Sequence, residues 1–196
     1  MAIEPRDYEY PTDVLRDRIV LITGASDGIG RALALEAARL GAQVILHGRN
    51  AAKLEKVYDD IEAIDGAPRP SIAVMDLATA DSAAYQSLAD SLAAEFGRLD
   101  GLVLNAGILG DRFSIEQYDP ALWQQVMHVN VTSAFVLAQV CLPLLHESDD
   151  ASIIFTSSGV GRQGRAFWGA YAAVSYTHLT LPTTKALGWC GGWGGG

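Results

Sequence analysis

Residues 19–30 read IVLITGASDGIG, an apolar run that passes directly into three spaced glycines. The run Ile19–Thr23 is typical of a buried strand, and the apolar periodicity after Gly30 is typical of a helix. At such a junction Gly24 permits a tight turn, Gly28 lets the backbone approach a pyrophosphate, and Gly30 allows close helix packing. The helix N-terminus offers unpaired N–H groups to the phosphates. The stretch predicts a dinucleotide-binding turn, with an ordinary glycine-rich surface turn as the alternative.

The alternation of short apolar runs and longer amphipathic stretches continues to about residue 158. Strands are predicted at Ile19–Thr23, Val44–His47, Ile72–Met75, Leu102–Asn105 and Ile153–Thr156. Helices are predicted at Ile29–Leu40, Ala51–Ile64, Asp81–Phe96 and Ala121–Leu145. Buried strands that alternate with helices predict an α/β fold, a doubly wound parallel sheet between two helical layers. Because no linker divides the region, residues 1–173 are predicted to form one domain.

Composition narrows the class of protein. The chain has 196 residues, 49% of them hydrophobic, which excludes a disordered chain. Its net charge of −9 argues against a nucleic-acid partner, because phosphate backbones are bound by basic surfaces. No His or Cys spacing fits a metal site, so no metal is predicted. The N-terminus lacks a signal-peptide pattern, and no apolar run approaches the roughly 20 residues of a membrane span, so a soluble, cytoplasmic protein is expected.

Four motifs, in order along the chain, carry a resemblance to a known family. They are TGASDGIG at 23–30, Asn105-Ala106-Gly107, Asn130-Val131-Thr132, and Ser157-Ser158 followed by Tyr171. With these motifs the chain resembles the short-chain dehydrogenase/reductase family from about residue 8 to Ala173. Within that family, HGRN at 47–50, LGD at 109–111 and GVGRQGRA at 159–166 look like the YciK-type bacterial oxidoreductases. The resemblance implies a Rossmann fold, here incomplete at the C-terminus because the family's later strands and helices are missing.

The end of the second predicted strand bears on the choice of dinucleotide. An acidic residue there would bind the ribose 2′-hydroxyl of NAD, but Gly48 stands at that position and Arg49 follows. A guanidinium suits a 2′-phosphate, so NADP is predicted over NAD; the alternative is an ordinary arginine near a strand end. By resemblance Asp76 contacts adenine, unless it only caps the following helix. The residues predicted to bind the cofactor are Gly24, Ser26, Asp27, Gly28, Ile29, Gly30, Arg49, Asp76, Leu77, Asn105, Ala106 and Gly107.

The resemblance also implies a catalytic set for interconverting a carbonyl and an alcohol. Tyr171 would be the acid/base, Ser158 would hydrogen-bond the carbonyl oxygen, and Asn130 would shape a water site within its helix. Each has an ordinary structural explanation when taken alone, but their joint order after a dinucleotide turn favours the catalytic one. The chain departs from the family at Ser175, because the family has a lysine there, one helical turn after the tyrosine. Little catalysis is therefore expected from the chain as written.

The helix predicted at Ala121–Leu145 bears on assembly. In the family this helix commonly packs against a partner subunit, so a homo-oligomer is expected of the full-length protein. Its apolar residues are also candidates for the core: Trp123, Val126, Phe135, Val136 and Leu137.

The last part of the chain differs in character from the rest. Six of the nine residues at 188–196 are glycine, which cannot build a core. The hexapeptide VSYTHL at 174–179 looks like a translated sequencing adapter. Residues 174–196 are therefore predicted to be a non-native tail, with a genuine flexible tail as the alternative.

Together these features predict an NADP-dependent oxidoreductase that acts on a small-molecule carbonyl or alcohol by hydride transfer, with the sequence as an N-terminal fragment of it. The alternative is a catalytically dead dinucleotide-binding module that lacks the active-site lysine. A methyltransferase on a related sheet is a weaker third hypothesis, because Ser158 and Tyr171 argue against it.

Overall fold

The computed structural model describes residues 11–161 and 167–176. The strands are β1 (Ile19–Thr23), β2 (Gln43–Gly48), β3 (Ser71–Val74), β4 (Gly101–Leu104) and β5 (Ser152–Phe155). The helices are α1 (Gly28–Arg39), α2 (Ala51–Glu62), α3 (Ser82–Phe96), α4 (Pro120–Met127), α5 (Ser133–His146) and α6 (Gly169–Tyr176). A π-helical turn, His128–Thr132, joins α4 to α5, and a 3₁₀ turn, Gly159–Gly161, precedes α6.

The five strands form one parallel sheet in the order β3-β2-β1-β4-β5. In the register of the sheet, Val20 of β1 lies between Val44 of β2 and Gly101 of β4. The chain winds outward from β1 in both directions, so the order reverses between β1 and β4. All strands present their carboxyl ends at one edge, where such a reversal opens a crevice for ligands. The prediction of a doubly wound parallel sheet is confirmed.

Alternate residues of the strands pack into two separate hydrophobic cores, one on each face of the sheet. On one face, side chains of β1 and β2 such as Ile22 and Leu46 pack with α1 and α2. On the other face, Leu21, Ile45 and Leu102 pack with α3 and α5. A strand buried on both faces needs apolar side chains at odd and even positions alike, which is why β1 and β2 read as continuous apolar runs.

Local signals fix the ends of the helices. Asp27, Asn50 and Asp81 cap α1, α2 and α3 with side-chain oxygens that accept backbone N–H groups. Pro120 stands at the start of α4, where its missing N–H costs nothing. At the end of α3, Gly97 adopts a φ of +72°, the left-handed conformation that ends many helices.

A buried carboxylate fastens the opposite edge of the sheet, where the strands begin. Asp100 accepts hydrogen bonds from the Ile19 backbone N–H at 2.8 Å, the Ser148 hydroxyl at 2.6 Å and the Arg98 Nε at 3.2 Å. Burial raises the pKa of the Asp100 carboxyl, but the hydrogen bonds to its charged form outweigh burial and hold the pKa below its usual range. The cluster therefore joins the start of β1 to the segment that follows α5. The sequence reading did not single it out.

The helical stretch Pro120–His146 bears on two expectations. It is 27 residues long and contains an 18-residue window with a mean hydropathy of 1.5, so by length and composition alone it passes as a membrane span. The inner side of α5 lies in the core, with Leu137 1% exposed. Trp123 and Phe135, expected as core candidates, are 38% and 40% exposed and so lie outside the buried core.

Strand β5 is an edge strand among the described residues, and Ile154 on it is 54% exposed. Helix α6 continues through residues 174–176, across the predicted boundary at 173. The rest of the predicted tail, 177–196, and positions 162–166 of the GVGRQGRA motif lie outside the described residues. The division of the chain at 173 stays a prediction.

Candidate cofactor-binding and active site

A cleft of about 460 Å³ opens at the carboxyl edge of the sheet. A volume of this size is typical of small-molecule sites. Most of the residues predicted to bind a cofactor line it: Gly24, Ser26, Asp27, Gly28, Arg49, Asp76, Leu77, Asn105, Ala106 and Gly107. Two others do not: Gly30 lies beneath the turn, and the Ile29 side chain is 71% exposed outside the cleft.

The glycine turn is shaped for close approach. A Cβ at Gly30 would stand 2.2 Å from the Gly24 carbonyl oxygen, so only glycine lets α1 pack on the turn. Gly24 and Gly28 have φ angles of +68° and +53°, a conformation that side chains disfavour. Nothing lies within 4 Å of the position of a Gly28 Cβ, so this backbone faces open space in the cleft. The turn therefore leaves room for a phosphate group beside the N-terminus of α1.

Thr23 ties the end of β1 to the end of β4. Its buried hydroxyl accepts hydrogen bonds from the backbone N–H groups of Asn105 at 2.9 Å and Ala106 at 3.0 Å. It donates to the Val103 carbonyl at 3.2 Å, and the Asn105 amide donates to the Thr23 carbonyl at 3.2 Å. These bonds hold the Asn105–Gly107 segment against the glycine turn, so the two predicted motifs form one wall of the cleft.

Asp27 is the charged group of the glycine turn. One carboxylate oxygen accepts the Gly28 backbone N–H at 2.8 Å, and the other accepts the Lys53 ammonium at 2.8 Å. The Lys53 ammonium, with the Gly28 N–H, holds the pKa of Asp27 below its usual range. Arg49 lies exposed at the rim, and among the described residues no carboxylate pairs with it. The sequence reading identified Asp27 and Arg49 but missed Lys53.

His47 is a lining residue that the sequence reading did not assign to the site. Its side chain is fully buried at the end of β2, and within the described part of the chain neither ring nitrogen has a hydrogen-bond partner. Burial lowers the pKa of His47 to about 4, so the ring is neutral at pH 7. Its position directly before Gly48 and Arg49 is the sequence feature that could have assigned His47 to the site.

Asp76 does not cap the following helix, which corrects one alternative. Its carboxylate accepts the Ala78 backbone N–H at 3.0 Å and so closes a local turn after β3. Asp81 is the residue that caps α3, through the Ala84 N–H at 2.9 Å. Asp76 is therefore held at the wall of the cleft by its own turn.

Asn130 lies in the π-helical turn between α4 and α5. Its amide oxygen accepts the Ile108 backbone N–H at 2.8 Å, and its amide nitrogen donates to the Ile108 carbonyl at 2.9 Å. The site of a Gly107 Cβ would lie 3.4 Å from the same amide oxygen. Asn130 thus fixes the segment that leaves β4 along the cleft.

Ser158 and Tyr171 lie beyond the residues that line the cleft. Ser158 follows β5, and Tyr171 is half-buried in the first turns of α6, which packs on the 3₁₀ turn Gly159–Gly161. The Trp168 ring lies 6.0 Å from the Tyr171 ring, and the Arg112 guanidinium stacks 4.4 Å from the centroid of Trp168. The structure thus places Tyr171 next to Trp168 and, beyond it, Arg112, a contact that the sequence did not predict.

Ser175 occupies the position at which the family resemblance led us to expect a lysine. Its hydroxyl donates to the Tyr171 carbonyl at 2.8 Å, and its own carbonyl accepts the Ser157 hydroxyl at 3.0 Å. The Ser175 hydroxyl therefore bonds within α6, and its carbonyl joins α6 to the segment after β5. The residue brings no positive charge to the phenol of Tyr171.

Comparison with known proteins gives concordant matches. The short chain dehydrogenase family matches residues 18–176. The uncharacterized oxidoreductase YciK of Escherichia coli K12 is 51% identical over 169 residues, which are 86% of this chain and 67% of YciK. The short chain dehydrogenase pigC of Monascus ruber is 36% identical over 146 residues, 74% of this chain and 48% of pigC. The chain thus spans between about half and two thirds of the length of these two relatives.

Solved structures agree with these relatives. A short chain dehydrogenase from Escherichia coli CFT073, complexed with NADPH, has a TM-score of 0.82 and 51% identity, covering 85% of this chain and 69% of that chain. One from Shigella flexneri 2a, complexed with NADP, has a TM-score of 0.81 and 49% identity over the same shares. The similarity therefore extends over most of the described fold.

Proposed function

The chain belongs to the short chain dehydrogenase family, and on that premise we propose that it binds NADP in the cleft at the carboxyl edge of the sheet. One observation carries the proposal: the glycine turn leaves open space at Gly28, and at the same rim stands the guanidinium of Arg49, which pairs with no carboxylate among the described residues. Complexes of related proteins with NADPH and NADP, at 51% and 49% identity, support the same choice of cofactor.

The lining residues divide among the parts of the dinucleotide. The turn from Gly24 to Gly30, with the N-terminus of α1, would hold the diphosphate through backbone N–H groups and the helix dipole. Arg49 would bind the 2′-phosphate, because a guanidinium offers two parallel donors to phosphate oxygens. Asp76 and Leu77 would flank adenine, and Asn105–Gly107 would flank the nicotinamide ribose.

We propose that the catalytic residues implied by the family resemblance interconvert a carbonyl and an alcohol. When bound, the nicotinamide ring supplies or accepts the hydride. Tyr171 would exchange a proton with the substrate oxygen through its phenol, and Ser158 would donate a hydrogen bond to that oxygen. Asn130 would act as a positioning residue, because it fixes the segment after β4 through Ile108.

The serine at position 175 limits proton transfer by Tyr171 in the present chain. A phenol releases its proton readily at neutral pH when a nearby cation stabilises the phenolate. Ser175 is uncharged, and its hydroxyl already donates to the Tyr171 carbonyl. We therefore propose that the chain with serine at 175 binds NADPH and turns over slowly. In the limit of no turnover it is a dinucleotide-binding module, the alternative function. A homo-oligomer and a cytoplasmic location stay predictions.

A paired substitution tests this account. NADPH consumption is followed at 340 nm with a panel of aldehydes, ketones and diketones, using the chain itself, Ser175→Lys and the length-matched neutral control Ser175→Met. We expect turnover to rise by about tenfold or more in the lysine variant alone, since tenfold corresponds to about 1.4 kcal/mol of the barrier. Equal rates in all three proteins, with NADPH binding intact, would overturn the role given to position 175.

A further inference from the structure

We propose that Lys53 of α2 is a second cation of the 2′-phosphate subsite, acting beside Arg49 to select NADP over NAD. This inference rests on the proposed function, since it concerns the same cleft. No motif in the sequence pointed to Lys53, and its side chain does not itself line the cleft but contacts Asp27, which does.

The backbone places Lys53 in a fixed position four residues after Arg49, which lines the cleft. The Asn50 side chain accepts the Lys53 backbone N–H at 3.0 Å and so starts α2 directly after Arg49. Lys53 is therefore in the first turn of this helix, at the carboxyl edge of β2. From there its ammonium reaches the glycine turn, 2.8 Å from an Asp27 carboxylate oxygen. The side chain bridges the two segments between which the phosphates of a dinucleotide would lie.

The negative charges at the glycine turn and on a bound 2′-phosphate favour a cation at the position of the Lys53 ammonium. Asp27 puts a negative charge on the segment that would face the diphosphate, and the Lys53 ammonium is its partner. Arg31 of α1, another cation near the turn, already pairs with Asp60 of α2 at 2.7 Å. A 2′-phosphate would bring nearly two further negative charges, of which Arg49 alone can balance one.

The Lys53 side chain is also free to move toward a phosphate. It is 53% exposed, and a flexible four-carbon stem lets its ammonium turn from one acceptor to another. On NADP binding, the ammonium can keep its hydrogen bond to Asp27 and donate a second one to a phosphate oxygen, since it carries three donors. NADH offers no phosphate there, so Lys53 gains no partner from it.

The competing explanation is that Lys53 and Asp27 form an ordinary surface ion pair that ties α2 to the turn. Such a pair contributes at most about 1 kcal/mol to folding and affects NADPH and NADH alike. The two explanations therefore differ in cofactor selectivity, which can be measured without any catalytic turnover.

The test titrates the full chain and three variants by calorimetry with adenosine 2′,5′-bisphosphate and with AMP, then with NADPH and NADH. The variants are Lys53→Gln, Lys53→Arg, and Lys56→Gln as the control, because Lys56 is an exposed lysine on the same helix. In Lys53→Gln we expect the bisphosphate and NADPH to bind about tenfold more weakly, and AMP and NADH to change less than about twofold. Lys53→Arg keeps the selectivity, and Lys56→Gln matches the parent chain.

The outcomes separate the two proposals. If Lys53→Gln weakens all four ligands equally, or none of them, the role of Lys53 is overturned while NADP binding stands. If the parent chain binds neither NADPH nor the bisphosphate, the proposed function fails and the inference fails with it.

Discussion

Asn130 and Ile108 join two segments of the chain through a pair of reciprocal hydrogen bonds. The Ile108 N–H reaches the Asn130 amide oxygen at 2.8 Å, and the Asn130 amide nitrogen reaches the Ile108 carbonyl at 2.9 Å. One side chain thus satisfies both peptide groups of a residue in the segment that leaves β4. Because Asn130 stands in the π turn, the irregular helix and the wall of the cleft depend on each other.

Asn130→Ala is expected to destabilise the fold, because the Ile108 peptide loses both partners in a partly buried place. The expected loss is about 1–3 kcal/mol in the free energy of unfolding, measured by urea denaturation. Gln124→Ala, at an exposed position of α4, serves as the control and should change stability by less than about 0.5 kcal/mol. Equal stability of the two variants would show that the reciprocal bonds contribute nothing.

Two glycine substitutions should separate stability from binding. Gly30→Ala brings a Cβ within 2.2 Å of the Gly24 carbonyl oxygen, so we expect several kcal/mol of destabilisation and loss of the cleft. Gly28→Ala meets no atom and costs about 1–2 kcal/mol for its left-handed backbone, but its methyl group enters the space left for phosphate.

Thermal unfolding and NADPH titration of both glycine variants check this contrast. Gly28→Ala should remain folded and bind NADPH poorly. A Gly28→Ala protein that is folded and binds as tightly as the parent chain would place the diphosphate elsewhere.

Asp100 should make stability depend on acidity below about pH 4. Its carboxyl has a lowered pKa in the folded protein, so its contribution is fully present above the ordinary value near 3.9 and is lost as pH falls through the folded pKa. Asp100→Asn is expected to cost about 2 kcal/mol at pH 7, since the bonds to Ser148, Ile19 and Arg98 weaken. Urea titrations from pH 7 to pH 2 should show the difference between the two proteins shrinking in acid. A constant difference would contradict this assignment.

His47 should act in a higher pH window. Its pKa falls from an ordinary value near 6.5 to about 4 in the folded protein. Between these two values the imidazole is protonated in the unfolded chain and neutral in the folded one. Stability should decline as pH drops from 6.5 to 4, by up to about 3 kcal/mol from this group. His47→Leu should remove that slope, and the exposed control His146→Gln should keep it. An unchanged slope in His47→Leu would show that the buried ring does not titrate as described.

Much of this fold could be predicted because its central strands β1, β2 and β4 are buried on both faces. Strand β1 matches its predicted bounds, and β3, β4 and β5 each begin and end one residue earlier than predicted. Hydrophobic runs mark which residues are buried, whereas the ends of the ladder depend on pairing with neighbours such as β2. The helix from 121 to 145 was predicted as one element, because periodicity does not report the hydrogen-bond offset of the π turn.

The parts that the sequence did not predict rest on contacts between distant residues. Asp100 gains its role from Ile19 and Ser148, which lie 81 and 48 residues away. Lys53 reaches Asp27 across 26 residues. No local pattern encodes such pairs, whereas the glycine turn and the Asn105–Gly107 segment are read from spacing alone.

The central claim is that the cleft beside Gly28 and Arg49 binds NADP. Calorimetric titration of the parent chain with NADPH and with NADH tests it most directly, since it needs no substrate and no turnover. The account predicts one saturable site for NADPH, about tenfold or more tighter than for NADH, because Arg49 meets a phosphate only in the former. Absence of NADPH binding, or equal affinity for the two cofactors, would contradict it.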